Sequence, residues 1–176
     1  MEILDLFKSV NSFSDHSKVW VYYSDIPFNE SEEKSIHSRL EHFLSSWNTH
    51  GDAIKGQYLI LFNQMIVLIA DESVAKVSGC SIDSSVRVIQ EIAEMMKLNF
   101  FNRNMIYFIE NQQFNTTTLT SFIHNYSLEN KDIKIFNPYY NDLQDLKTNL
   151  AVSIQDSKFF PLLKREKKKW EKEVNV

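Results

Sequence analysis

Two apolar runs, Gln57 to Phe62 and Met65 to Ala70, stand only two residues apart, and this spacing constrains the fold more than any other feature of the chain. Both runs are rich in aliphatic and aromatic residues, and Asn63-Gln64 leaves room only for a tight turn. The pair is predicted to be a β-hairpin even though the favoured Asn-Gly is absent. The stretch from Tyr58 to Ala70 is the most apolar in the sequence, but Asn63-Gln64 interrupts it. It also falls well short of the roughly 20 residues needed to cross a bilayer, so no membrane span is expected.

Regular patterning surrounds the hairpin. Lys18 to Ser24 is β-branched and aromatic and is closed by Ile26-Pro27, which predicts a first strand. Asn29 stands three residues before Glu32, a capping-box spacing, and Ile36, Leu40, Phe43, Leu44 and Trp47 then recur at helical intervals up to His50-Gly51. After the hairpin, Ile82, Val86, Ile89, Ala93 and Met96 predict a second helix ending at Lys97, and Asn104 to Ile109 a fourth strand. The order β-α-β-β-α-β predicts an α+β fold of the ferredoxin-like kind, a split βαββαβ sandwich with a four-stranded antiparallel sheet and both helices on one face.

Leu119, Phe122, Ile123 and Tyr126 mark a further helix, Ile133 to Phe136 a short strand and Leu143, Leu146 and Leu150 another helical stretch. The expected organisation is a single domain over 1–176. Its core covers about 18–110, a C-terminal α-β-α appendage about 111–163, and a basic helical tail 164–176.

Composition narrows the function classes. Only three glycines and three prolines occur among 176 residues, which excludes a glycine-rich dinucleotide loop and a many-turned all-β fold. The formal net charge of −4 is uneven: the tail 164–176 holds six basic and three acidic side chains, so the body is more acidic than the total. An acidic body argues against nucleic-acid binding, which needs clustered Lys and Arg. The tail admits an anionic-partner or membrane-surface contact, but its three glutamates dilute the charge and favour a solvated helix end whose lysines complement the helix dipole. A single cysteine forms no internal disulfide, and Met1 to Val10 lack the basic-then-apolar plan of a signal peptide, so the expected compartment is the cytoplasm.

The predicted topology gathers the chemistry at one edge. The end of the first helix, both outer ends of the hairpin and the start of the second helix should meet there, together with Glu110 and, if a fifth strand runs parallel, Asn137 to Tyr140. That edge would collect Trp47, His50, Gly51, Gly56, Asp71, Glu72 and the string Ser78-Gly79-Cys80-Ser81-Ile82-Asp83-Ser84-Ser85, which includes every glycine and the only cysteine.

A helix start offers unpaired amides and a positive dipole end, so Cys80 admits three roles there. It could be a nucleophile with His50 as base and Asp71 or Glu72 orienting the imidazole. It could be incidental to an anion nest built from Ser78, Gly79, Ser81, Asp83 and Ser84, with Gly51 and Trp47 alongside. Or it could be a small buried hydrophobe behind an N-cap formed by Ser81 or Asp83, with Gly79 at positive φ. His50 also fits a helix C-terminal cation followed by Gly51 as the left-handed residue. No cofactor and no metal site is expected, since His37 and His42 stand five apart and diverge around the helix. Gly51 to Gly56 has phosphate-loop spacing, but Gln57 and Tyr58 stand where Lys and Ser or Thr are needed.

At Val19-Trp-Val-Tyr, Trp47-Asn-Thr-His-Gly51, Asp71-Glu-Ser73, Ser78-Gly-Cys-Ser-Ile-Asp83 and Ile154-Gln-Asp-Ser157, the sequence resembles a small bacterial family whose members are often labelled ABC transporter ATPases. The resemblance spans about 18–163 and implies no established activity. This sequence has neither a Walker lysine nor a Leu-Ser-Gly-Gly-Gln signature. The expectation is a binding or regulatory module with a polar pocket for an anionic ligand or protein terminus. The alternatives are a Cys80-dependent hydrolase or transferase and a structural interaction domain.

Overall fold

The computed structural model describes residues 3–73 and 75–174. Met1, Glu2, Val74, Asn175 and Val176 lie outside the described residues, the last two at the end of the basic tail. A 3-10 helix, Ile3–Val10, precedes β1 (Lys18–Tyr23), α1 (Glu30–Ser46), β2 (Asn48–Thr49), β3 (Asp52–Ala53), β4 (Lys55–Leu61), β5 (Met65–Asp71) and α2 (Gly79–Met96). There follow β6 (Met105–Glu110), β7 (Gln113–Thr118), α3 (Leu119–Asn125), β8 (Lys134–Phe136), α4 (Leu143–Asn149), β9 (Ala151–Ser153) and α5 (Phe160–Val174). The fold is mixed α and β with antiparallel sheets. The chain forms two compact units, Met1–Phe101 with Tyr139–Thr148, and Asn102–Pro138 with Asn149–Val176.

In the first unit the predicted hairpin forms as β4 and β5, with Leu61 opposite Met65 and left-handed Phe62 and Asn63 (φ 56° and 51°) making the turn. β5 is the centre of a three-stranded sheet, order β1-β5-β4, and is buried along its whole length. Burial on both faces explains why Met65 to Ala70 is continuously apolar and not alternating. The helix stripes fold as predicted. Ile36 and Leu40 of α1 and Val88, Ile89 and Ile92 of α2 share one cluster with Tyr22, Ile66 and Leu68, so both helices cover the same face of the sheet. The capping box is complete: Asn29 Oδ1 accepts the Ser31 and Glu32 N–H groups, and Glu32 Oε2 accepts the Asn29 N–H at 2.8 Å. The start of α4 is held in this unit by the Leu143 N–H, which donates to the Ser17 carbonyl at 2.9 Å.

The fourth predicted strand does not join this sheet. It forms β6 and sits in the second unit in a four-stranded sheet of order β7-β6-β8-β9. β6 finds a local partner across Asn111-Gln112, both at positive φ (51° and 63°), and pairing across two residues costs far less loop entropy than returning to β1. Its inward residues Ile106 and Phe108 pack with Phe122, Ile133, Ile135, Ile154 and Leu163 to form a separate core. β8 pairs with β6 antiparallel, not parallel, and Glu110 therefore belongs to the β6–β7 hairpin.

Candidate functional site

Trp47 organises the end of the first unit where α1 closes. Gly56 of β4 stands opposite Ala70 of β5, and these two small residues leave a hollow that the Trp47 indole fills. A Cβ on Gly56 would lie 2.8 Å from Trp47 Cε3 and 2.9 Å from Leu44 Cδ2, so only glycine fits there without movement. Trp47 is 3% exposed and meets Trp20 edge to face at 6.1 Å and Phe43 at 5.1 Å between ring centroids. Its Nε1–H donates to the Ser81 carbonyl at 2.9 Å, which ties the end of α1 to the first turn of α2.

Four sequence expectations change at this point. The helix ends at Ser46 with Trp47 already extended (φ −70°, ψ 118°), so His50-Gly51 is not a helix cap. Both residues have positive φ (50° and 96°) and make the turn between β2 and β3, with Asn48 opposite Ala53. Gly51 is thus required by a two-residue hairpin. The N-cap of α2 is Ser78, not Ser81 or Asp83. The Ser78 hydroxyl accepts the Ser81 N–H at 3.4 Å, and the Ser81 hydroxyl accepts the Ser78 N–H at 2.7 Å. Gly79 is the first helical residue and not a positive-φ turn, and Cys80 is exposed where a buried hydrophobe was one expectation.

The Trp47 tie brings the β2–β3 hairpin beside this helix start. A pocket of about 280 Å³ forms there, and Trp47, Asn48, His50, Ser78, Cys80 and Ser84 are among the residues lining it. The Ile82 N–H donates to the Ser78 carbonyl at 3.0 Å and the Ser84 hydroxyl to the Ser81 carbonyl at 2.8 Å. The amides of Gly79 and Cys80 are the first two of the helix and have no intrahelical acceptor.

The acidic partners expected for His50 lie elsewhere. Asp71 is 3% exposed and accepts from Lys55 Nζ at 2.8 Å, across the Lys55–Asp71 pair of the ladder, and from the Ser73 N–H at 3.0 Å. The Lys55 hydrogen bond holds its carboxyl down at about 2. Glu72 closes its own loop by accepting the Val77 N–H at 3.1 Å. Asp83 is exposed on α2, while Ser81 is buried beneath the cap. The structure therefore brings His50, Cys80, Ser78, Ser84 and Trp47 together and assigns Asp71, Glu72 and Gly56 to scaffolding.

Phe43, Ser46 and Asn48 line the pocket but are not among the candidate site residues of the sequence, where Phe43 enters only in the apolar stripe of α1. Phe43 could have been found from its place one turn before Trp47; Asn48 carries no signal in spacing. Among the described residues no group of three or more His, Cys, Asp or Glu could hold a metal ion, and no helix is long and apolar enough to cross a membrane. Compared with family models, curated proteins and solved structures, the chain matches none of them.

Proposed function

We propose that the chain is a binding or regulatory module that holds the carboxylate or phosphate of a small ligand, or of a partner's terminus, at the first turn of α2. The observation that carries this reading is the concave site itself. Ser78, Cys80 and Ser84 of this helix start line it together with His50, and the amides of Gly79 and Cys80 are the first two of the helix. Amides at a helix start and the positive end of its dipole favour an anion, and the His50 ring offers a further hydrogen-bonding group.

Gly79→Pro tests it. Proline suits the first helical position, Ser78 before it is already extended (φ −109°, ψ 169°), and nothing lies within 4 Å of a Cβ at Gly79. The variant therefore keeps the helix and removes one amide donor. Inorganic phosphate titrated into the labelled protein should shift the Gly79, Cys80 and Ser81 amide resonances saturably, with about tenfold weaker binding in the variant, the worth of one hydrogen bond to a charged group. Unchanged binding, or no saturable shift in either protein, sinks the reading.

A second reading, thiol-dependent acyl transfer or hydrolysis, draws on the exposed Cys80 thiol and the His50 imidazole facing one pocket. It would have to run without an orienting carboxylate, because Asp71 and Glu72 are engaged elsewhere. Alkylation of Cys80 followed against pH separates the two. An activated thiolate reacts well below the ordinary thiol range, and His50→Ala shifts the profile; an incidental thiol does neither.

A further inference from the structure

We infer that the outer edge of β4 is a docking site for an extended segment of a partner polypeptide that carries a lysine or arginine side chain, a site separate from the α2 pocket. β4 is a seven-residue strand that, among the described residues, pairs as a strand with β5 alone and so forms an edge of its sheet. The Tyr58 N–H donates to the Gln57 side-chain Oε1 at 2.9 Å, which shows that Tyr58 points its backbone away from β5. By the alternation of an antiparallel ladder, Gly56 and Ile60 do the same. The Gln57 amide thus occupies the place that a partner strand's carbonyl would take.

Edge strands are commonly guarded by an outward lysine, but Lys55 does not guard β4. Its Nζ is turned to Asp71 at 2.8 Å and to the Ser12 carbonyl at 3.1 Å.

A groove of about 630 Å³ runs along this edge. It is lined by His37, Glu41, Leu44 and Ser45 of α1, by Gln57 to Ile60 of β4 and by Ser9. The groove borders the edge strand of the sheet. Half-buried Leu44 and Ile60 offer apolar surface to its side chains. Among the described residues no lysine or arginine lines the groove, whereas Glu41 does. The Tyr58 hydroxyl hydrogen-bonds to His37 Nδ1 at 2.7 Å and donates to Glu41 at 3.4 Å, and Glu33 lies 3.8 Å from His37 Nε2. Burial, reinforced by the Glu41 charge, pushes the Tyr58 phenol up to about 12, which agrees with a negative potential in the groove. Main-chain pairing supplies affinity and the acidic wall selects a cation, as in other strand-addition modes.

The test uses the full chain and a capped peptide matched to β4 at seven residues, alternating valine and lysine. Saturable amide shifts over residues 56–60, slowed hydrogen exchange at Tyr58 and Ile60, and about tenfold weaker binding to Glu41→Gln support docking on the edge. Glu41 is exposed, so that variant folds. Absence of saturable binding overturns the proposal, as does equal binding of the matching valine–glutamate peptide, or unaltered affinity in Glu41→Gln. Lysine amide alone producing the same shifts at the same affinity also overturns it, because the groove would then take a free amine and the backbone edge would play no part.

Discussion

The inner and outer layers of the Trp47 end differ in how completely their groups are used. In the inner layer every feature is spent on structure: Gly56 and Ala70 make the hollow, Trp47 fills it, and Lys55 and Asp71 pair across the ladder. In the outer layer Gly79 has open space around it, Cys80 and His50 are exposed, and Ser78, Cys80 and Ser84 at the start of α2 line a pocket. Adjacent residues of similar type thus serve opposite ends, and what separates them is the indole between them. A glycine close to a candidate site is evidence of function only when no neighbouring side chain requires it.

The sharpest way to break this contrast is to remove its divider. Trp47→Ala should destabilise the first unit by about 3–5 kcal/mol, since a buried aromatic and its bond to Ser81 are both lost; chemical denaturation measures it. Gly56→Ala should cost about 1–3 kcal/mol in the same assay, because its Cβ meets a packed ring, whereas Gly79→Pro should leave stability unchanged or raise it by up to about 1 kcal/mol. If the two glycine variants behaved alike, the layers would not be distinct.

A third prediction concerns acid. The folded Asp71 carboxyl titrates at about 2 and the unfolded one at about 3.9, so its contribution is complete above the latter and is lost as pH falls through the former. Between these limits the denaturation midpoint should drop with pH, and Asp71→Asn should flatten that slope. The smallest effect belongs to the outer layer. His50→Ala and Cys80→Ser should each change stability by no more than about 0.5 kcal/mol, and a thiol reagent should label native Cys80 without denaturant.

Much of the first unit was legible because its cues are local. The hairpin, the Asn29–Glu32 box and the stripes of α1 and α2 all follow from residues close in sequence. The placement of the fourth strand was not legible because its partner β7 is mostly Gln, Asn and Thr, with Phe114 its one apolar residue, and follows a turn at Asn111-Gln112 that lacks glycine. β2 and β3, two residues each, lie below any periodicity. At the site, topology was enough to place Cys80 near His50. The partners of Asp71 and Glu72 depend on strand register and loop closure, which residue types do not encode.

The bond from Trp47 to Ser81 has one more consequence. An indole whose ring is shielded and whose nitrogen is fastened to the first turn of α2 is an internal optical gauge, with its emission set by the dry hollow on one side and the helix start on the other. With Trp20 and Trp170 replaced by phenylalanine, Trp47 becomes the sole fluorophore of its kind in the chain. Occupation of the neighbouring pocket could then be followed by light alone, without a chemical label.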